Sequence, residues 1–266
     1  DGRTLYPGTG FPEEAGSPGA WGTNINLPLL PGTGDEGLHR LYDGLISHIL
    51  EDFKPELIIN SAGQDNHFSD PLASMAVTAQ GYARLADKLQ ADIAVLEGGY
   101  SVESALPYVN TGIILAMAGM DYSKVLEPDL SELRKQDPRC NKRVDQLIEQ
   151  VGDLYFNRER TKKELLQKCN GVWQRKKHIY YDEEGIREQQ VETVRYCSIC
   201  DGYFTIQTAA EDTRFGDQSA FIVCLPRDIC PNCKQRAYDE ALREKKTGRW
   251  QYVFVQHIVD GFIETI

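Results

Sequence analysis

The sequence predicts an α/β protein: part of a parallel sheet with helices on both faces, then a helical connector and a small cysteine-bearing β domain. Three observations predict it. Between Asp35 and Met120 the hydrophobic pattern runs helix, strand, helix, strand, helix. The two strand-like runs, 56–60 and 92–96, are apolar without polar alternation, as in strands buried inside a parallel sheet. Two C-x-x-C pairs then punctuate β-like runs beyond residue 193. The segments read as 1–126, 127–192 and 193–266.

Residues 1–34 are rich in glycine and proline and leave room only for a short strand at Asn24–Leu30. From Asp35 to Phe53, Leu38, Leu41, Tyr42, Leu45, Ile46, Ile49 and Phe53 form a helical stripe, with Asp35 as N-cap and Lys54-Pro55 as the stop. A second amphipathic helix spans Thr78–Gln90. A third spans Ser101–Met120, with Pro107 near its start. Residues 127–192 are charged and read as mostly helical, with an apolar stripe at Val144, Leu147, Ile148, Val151, Leu154 and Tyr155. Beyond the cysteines, Ala237–Lys246 reads as a helix and Trp250–Val255 as a strand.

The formal charge of −11 is uneven. Residues 1–126 hold 16 Asp and Glu against 6 Lys and Arg, whereas 127–266 hold 24 against 23. An acidic first part opposes binding to a phosphate backbone; it suits a cationic substrate, or solubility alone. No run of 18 apolar residues or signal peptide is visible, which points to a cytoplasmic protein with no membrane partner. The chain opens at Asp1 in a turn-rich segment, so a natural N-terminus further upstream is expected.

The chemistry-bearing stretch is Asn60–Leu72, N-S-A-G-Q-D-N-H-F-S-D-P-L, which follows the first strand. Ligands of open parallel sheets bind at the carboxyl ends of strands. There Asp65 could cap a helix, ligate a metal or act as a base, and His67 supplies the spacing of an Asp-x-His metal pair. The second strand runs into Glu97-Gly98-Gly99-Tyr100, whose glycines permit close approach of a ligand. Asp65 and Tyr100 should therefore share one crevice.

Five ordered motifs are Y-P-G-T-G at 6–10, N-x-P-L at 26–29, S-A-G-Q-D at 61–65, D-P-L at 70–72 and L-E-G-G-Y at 96–100. Over residues 1–122 they resemble the carboxyl half of the histone deacetylase superfamily, which includes acetylpolyamine amidohydrolases and acetoin-utilisation proteins. The resemblance implies an arginase-like fold and a zinc-dependent deacetylase acting on acetyl-lysine or an acetylpolyamine. It makes Asp65 a catalytic-zinc ligand and Tyr100 the catalytic tyrosine. Tyr6 and Leu72 become walls of the acyl channel, and Gly98 and Gly99 line the pocket. His67 matches no ligand position in the family and becomes a loop residue. The family's Asp-x-His pair and adjacent histidines have no match in the chain, so the chain as given is expected to be inactive. The competing reading is a non-catalytic scaffold for the cysteine domain.

Of seven cysteines, Cys197, Cys200, Cys230 and Cys233 form two C-x-x-C pairs with 29 residues between them. Each pair can present two thiolates to one metal, so a closed structural zinc site in a ribbon with an extended hairpin is expected. Cys224 reads as a core thiol or a substitute ligand. The flanking basic residues, Arg195 and Arg249 among them, leave a protein or a nucleic acid open as partner.

Overall fold

The structure, a computed structural model, describes residues 8–128, 130, 135–181, 184–212 and 216–266. Tyr6 lies outside the described residues. The chain forms two compact units. One comprises Gly8–Glu14 and Ile25–Phe156, the other Ala15–Asn24 and Asn157–Ile266.

In the first unit, α1 (Asp35–Leu41), a π-helical segment (Tyr42–Ile46) and α2 (Ser47–Phe53) run on as one helix and end at Lys54, whose backbone is left-handed. Asp35 is not the cap. It is the first helical residue, and its carboxylate accepts from the Thr78 N–H at 2.8 Å and the Thr78 hydroxyl at 2.6 Å. Leu41 and Leu45 pack on Val144, Leu147 and Val151 of α5 (Pro138–Phe156), and Ile25, Leu27 and Leu29 close on that cluster as irregular chain, not as a strand.

The strands β1 (Ile59–Ala62) and β2 (Ile93–Leu96) pair in parallel, with Ile59 opposite Ile93 and Ala62 opposite Leu96. Between them lies α3 (Ala79–Leu89), capped by Thr78, whose hydroxyl accepts from the Gly81 N–H at 3.0 Å. After β2 comes α4 (Leu106–Met117), which starts later than its apolar pattern suggests. Pro107 fits the first turn of a helix, and Ser101–Ala105 is spent in a turn. Ala62 and Ala94 face α3 and α4, while Ile59, Ile93 and Val95 on the other face of the pair are exposed.

The mostly helical connector expected at 127–192 is corrected. Its α5 belongs to the first unit's core, α6 (Arg158–Lys168) to the second unit, and from Val172 the chain is strand. β3 (Val172–Tyr181) and β4 (Ile186–Arg195) form a long hairpin. Their charged residues disguised it: Arg175 and Lys177 of β3 both bond Glu192 of β4, so polar side chains satisfy one another across strands.

The hairpin opens a six-stranded sheet in the order β3-β4-β5-β6-β7-β8, adding β5 (Tyr203–Glu211), β6 (Gln218–Leu225), β7 (Tyr252–His257) and β8 (Phe262–Thr265). Neighbours are antiparallel except β6 and β7, which are parallel and joined by α7 (Pro231–Thr247). Ala237 and Ala241 of α7 pack on Phe221, Val223, Val253 and Val255. The β region is therefore larger than a ribbon and begins well before residue 193.

Candidate active site and a cysteine metal centre

The loop after β1 and the turn after β2 meet at the same edge of the parallel pair. The Gln64 N–H donates to the Gly98 carbonyl at 2.5 Å, and the Gln64 side chain bonds Asn110 of α4. Asp70 completes the junction. One carboxylate oxygen accepts from the Leu72 and Ala73 N–H groups at 2.9 and 3.1 Å, and the other from the Tyr100 N–H at 2.8 Å. A buried carboxylate thus fixes both the turn carrying Leu72 and the backbone of Tyr100.

Gly98 sits between the two residues of most interest. A Cβ on Gly98 would lie 2.8 Å from Asp65 Oδ2 and 3.4 Å from Tyr100 Oη. The carboxylate and the phenol therefore flank one small space that only glycine leaves open. Gly99 has φ of +154°, and a Cβ there would meet the Gln64 side chain at 2.9 Å. Below the loop, the Asn66 N–H donates to the Tyr82 hydroxyl at 3.1 Å. Burial, and then the charge of Asp65, push the Tyr82 phenol far above its ordinary value, so it stays neutral. Tyr100 is 52% exposed and Leu72 64%, so both are open to a ligand.

Two residues gain a place that sequence reading did not assign. His67 is fully buried, with Nε2 3.5 Å from Glu127 Oε1, and Glu127 also accepts from the Ala79 N–H at 3.0 Å. Burial alone would raise the Glu127 carboxyl, but the bonds from His67 and Ala79 leave it below its ordinary value. No local signal could have found this pair, because 60 residues separate its members in the chain.

A catalytic zinc is implied by the resemblance. Asp65 borders the space beside Gly98, yet among the described residues the first unit gathers no group of three His, Cys, Asp or Glu ligands. Asp65 can supply one ligand of such a centre.

The second unit does gather such a group. The ligand atoms of Cys197, Cys200, Cys230 and Cys233 all lie within 4.8 Å of one another. The fold explains the spacing. β5 and β6 are antiparallel neighbours, so the start of β5, after Cys200, lies beside the end of β6, before Cys230. The 29 intervening residues are that hairpin and its flanks. The first knuckle turns through Asp201 (φ +59°) and Gly202 (φ +92°). A Cβ on Gly202 would collide with the Arg195 carbonyl at 1.7 Å.

The Ile199 N–H points at Cys197 Sγ at 3.4 Å, and backbone N–H groups of Ile199 and Cys200 bring that thiol down to about 7. The N–H of Cys233 lowers Cys230, whereas burial and the neighbouring thiols raise Cys233. Four crowded thiols cannot all ionise unaided, and a soft cation removes that conflict. The set fits tetrahedral zinc. Cys224 stands apart from the four as a core thiol. It is buried, pushed up to about 12 by burial, with its Sγ 3.7 Å from Gln256 Oε1. Of the basic residues, Arg195 is engaged within the unit: it bonds the buried Glu240, which also accepts from Tyr203 at 2.9 Å.

The histone deacetylase domain family matches residues 1–116. A probable deacetylase of Archaeoglobus fulgidus is 53% identical over 146 residues, which are 50% of this chain and 41% of that protein. An acetoin utilization protein of Bacillus subtilis is 34% identical over 147 residues, 52% of this chain and 38% of that protein. The crystal structure of an acetylpolyamine aminohydrolase from Burkholderia pseudomallei aligns with a TM-score of 0.41 at 29% identity, over 45% of this chain and 36% of that one. The chain thus spans less than half the length of these relatives.

Proposed function

We propose that residues 1–116, which match the histone deacetylase domain family, supply part of the active site of a zinc-dependent deacetylase that hydrolyses the amide of acetyl-lysine or an acetylated polyamine. The observation that carries the reading is the pairing of Asp65 and Tyr100 across Gly98. Bound zinc would supply Lewis acidity toward the acetyl carbonyl and its attacking water.

The remaining work falls to this chain's residues. Asp65 holds one position of the metal. The Tyr100 phenol donates a hydrogen bond to the carbonyl oxygen and keeps it as negative charge develops there. Gly98 and Gly99 leave room for the acetyl group. Leu72, and Tyr6 from the family resemblance, wall the acyl channel. The acidic balance of residues 1–126 favours cationic substrates. One ligand residue does not make a zinc centre, so the chain as given is expected to be inactive until other ligands are provided.

In the second unit the four cysteines hold a structural zinc, in a reducing, cytoplasmic setting that keeps the thiols free. This unit is also where a protein or nucleic-acid partner would dock. Steep salt dependence of DNA binding would favour the nucleic acid.

The test uses a longer protein that contains this chain and the remaining zinc ligands. Tyr100→Phe should lower kcat by about 10²- to 10³-fold, as loss of one oxyanion donor does, with folding unchanged. A Tyr100→Phe variant as active as the parent would overturn the reading.

A further inference from the structure

The buried His67 belongs to a chain of hydrogen bonds that crosses between the two loops of the candidate site. Its Nδ1 lies 2.9 Å from Ser69 Oγ and 3.2 Å from the Ser69 backbone nitrogen. Ser69 Oγ in turn lies 2.8 Å from Ser101 Oγ on the turn after β2. On its other side the ring approaches Glu127, whose Oε1 is anchored by the first N–H of α3.

The chemistry of the partners sets the direction of this chain. A backbone N–H can only donate, so Nδ1 must be a bare acceptor. The ring proton then sits on Nε2 and faces Glu127 Oε1 at 3.5 Å, an electrostatic contact longer than a hydrogen bond. With Nδ1 accepting, the Ser69 hydroxyl gives its proton to the ring, which leaves its oxygen free to accept from Ser101. The hydrogen bonds run from Ser101 to Ser69 to His67, and Glu127 faces the far side of the ring.

We propose that His67 is a positioning residue: held as its Nε2–H tautomer by the Ser69 backbone N–H at Nδ1, with Glu127 facing Nε2, it ties the loop carrying Asp65 to the turn carrying Tyr100 through Ser69 and Ser101. Asp65 lies two residues before His67 and Tyr100 one residue before Ser101. The Tyr100 N–H, bonded to Asp70, reports on the tie. The importance given to these loops rests on the deacetylase reading, but the tie does not need turnover to be seen.

The experiment is amide hydrogen exchange by NMR on the full chain, with nitrogen spectra of the His67 ring. His67→Phe keeps an aromatic ring without an acceptor, and His67→Asn restores one near Nδ1. Loss of one net hydrogen bond of about 1 kcal/mol corresponds to about five-fold faster exchange of the Tyr100 amide. We expect that acceleration in His67→Phe and in Ser101→Ala, near-parental exchange in His67→Asn, and a bare Nδ1 in the parent. An Nδ1–H tautomer would overturn the proposal, as would equal losses in His67→Phe and His67→Asn, which a packing role alone produces. If His67→Phe does not fold, Ser101→Ala decides, and unchanged Tyr100 exchange there also overturns it. These results stand apart from the fate of the deacetylase reading, which Tyr100→Phe turnover decides.

Discussion

Zinc removal from the four-cysteine centre should destabilise the second unit by an amount that follows from mass action. A metal that binds the folded state alone adds RT ln(1 + [L]/Kd), about 2.7 kcal/mol at a hundredfold excess over Kd and about 1.4 kcal/mol for each further tenfold. The four ligand atoms lie within 4.8 Å only because β5 and β6 pair and α7 begins beside them. The unfolded chain, with 29 residues between the knuckles, does not present that site ready-made. For a domain near 100 residues, where 1 kcal/mol moves the midpoint by about 4–8 °C, a hundredfold excess should raise Tm by roughly 10–20 °C. The assay is calorimetry of the full chain across a series of zinc buffers, with Cys200→Ser as control. The transition assigned to the second unit should climb with the logarithm of free zinc, and the variant should lose most of the climb. A midpoint unmoved between strong chelator and saturating zinc would refute a structural metal at these cysteines.

Other outcomes follow from the same geometry. Gly98→Ala would place a methyl 2.8 Å from Asp65 Oδ2 and push the carboxylate aside. In the longer protein kcat/KM should fall by about 10²-fold, as displacements near 1 Å do, and parental kinetics would remove Gly98 from the site. Leu147 of α5 is fully buried against Leu41 and Leu45, so Leu147→Ala should cost about 3 kcal/mol in the first unit and leave the zinc-dependent transition in place. A single transition moving as one in calorimetry would contradict two separate units. Burial alone would raise the Glu192 carboxyl, but bonds from Arg175 and Lys177 hold it below its ordinary 4.5. Its contribution is therefore complete above pH 4.5 and lost as pH falls through the depressed value. Urea midpoints measured against pH should show a decline that Glu192→Gln flattens, and an unaltered profile would count against the pair.

The first unit was legible where its signals are local. The stripe from Leu38 to Ile49 and the helix from Thr78 needed only near neighbours in sequence, and the structure keeps both. β3 and β4 were not legible, because charged residues satisfied by cross-strand partners look like solvated helix until the register pairs Arg175 with Glu192. Asp35 shows the same limit on a smaller scale: a carboxylate beside a helix start reads as a cap, yet its partner is Thr78 on another helix.

By itself the sequence determined the helices and short strands of the first unit, the ordered motifs and the pairing of cysteines, since periodicity, turn residues and C-x-x-C knuckles act over a few residues. Tertiary structure decided which groups meet. It brought Asp65 and Tyr100 to either side of Gly98, buried His67 against Glu127, and closed 29 residues into the hairpin that gathers four thiols. These contacts depend on where strands end and which neighbours they pair with, and that is set by burial of whole surfaces, not by the residues in contact.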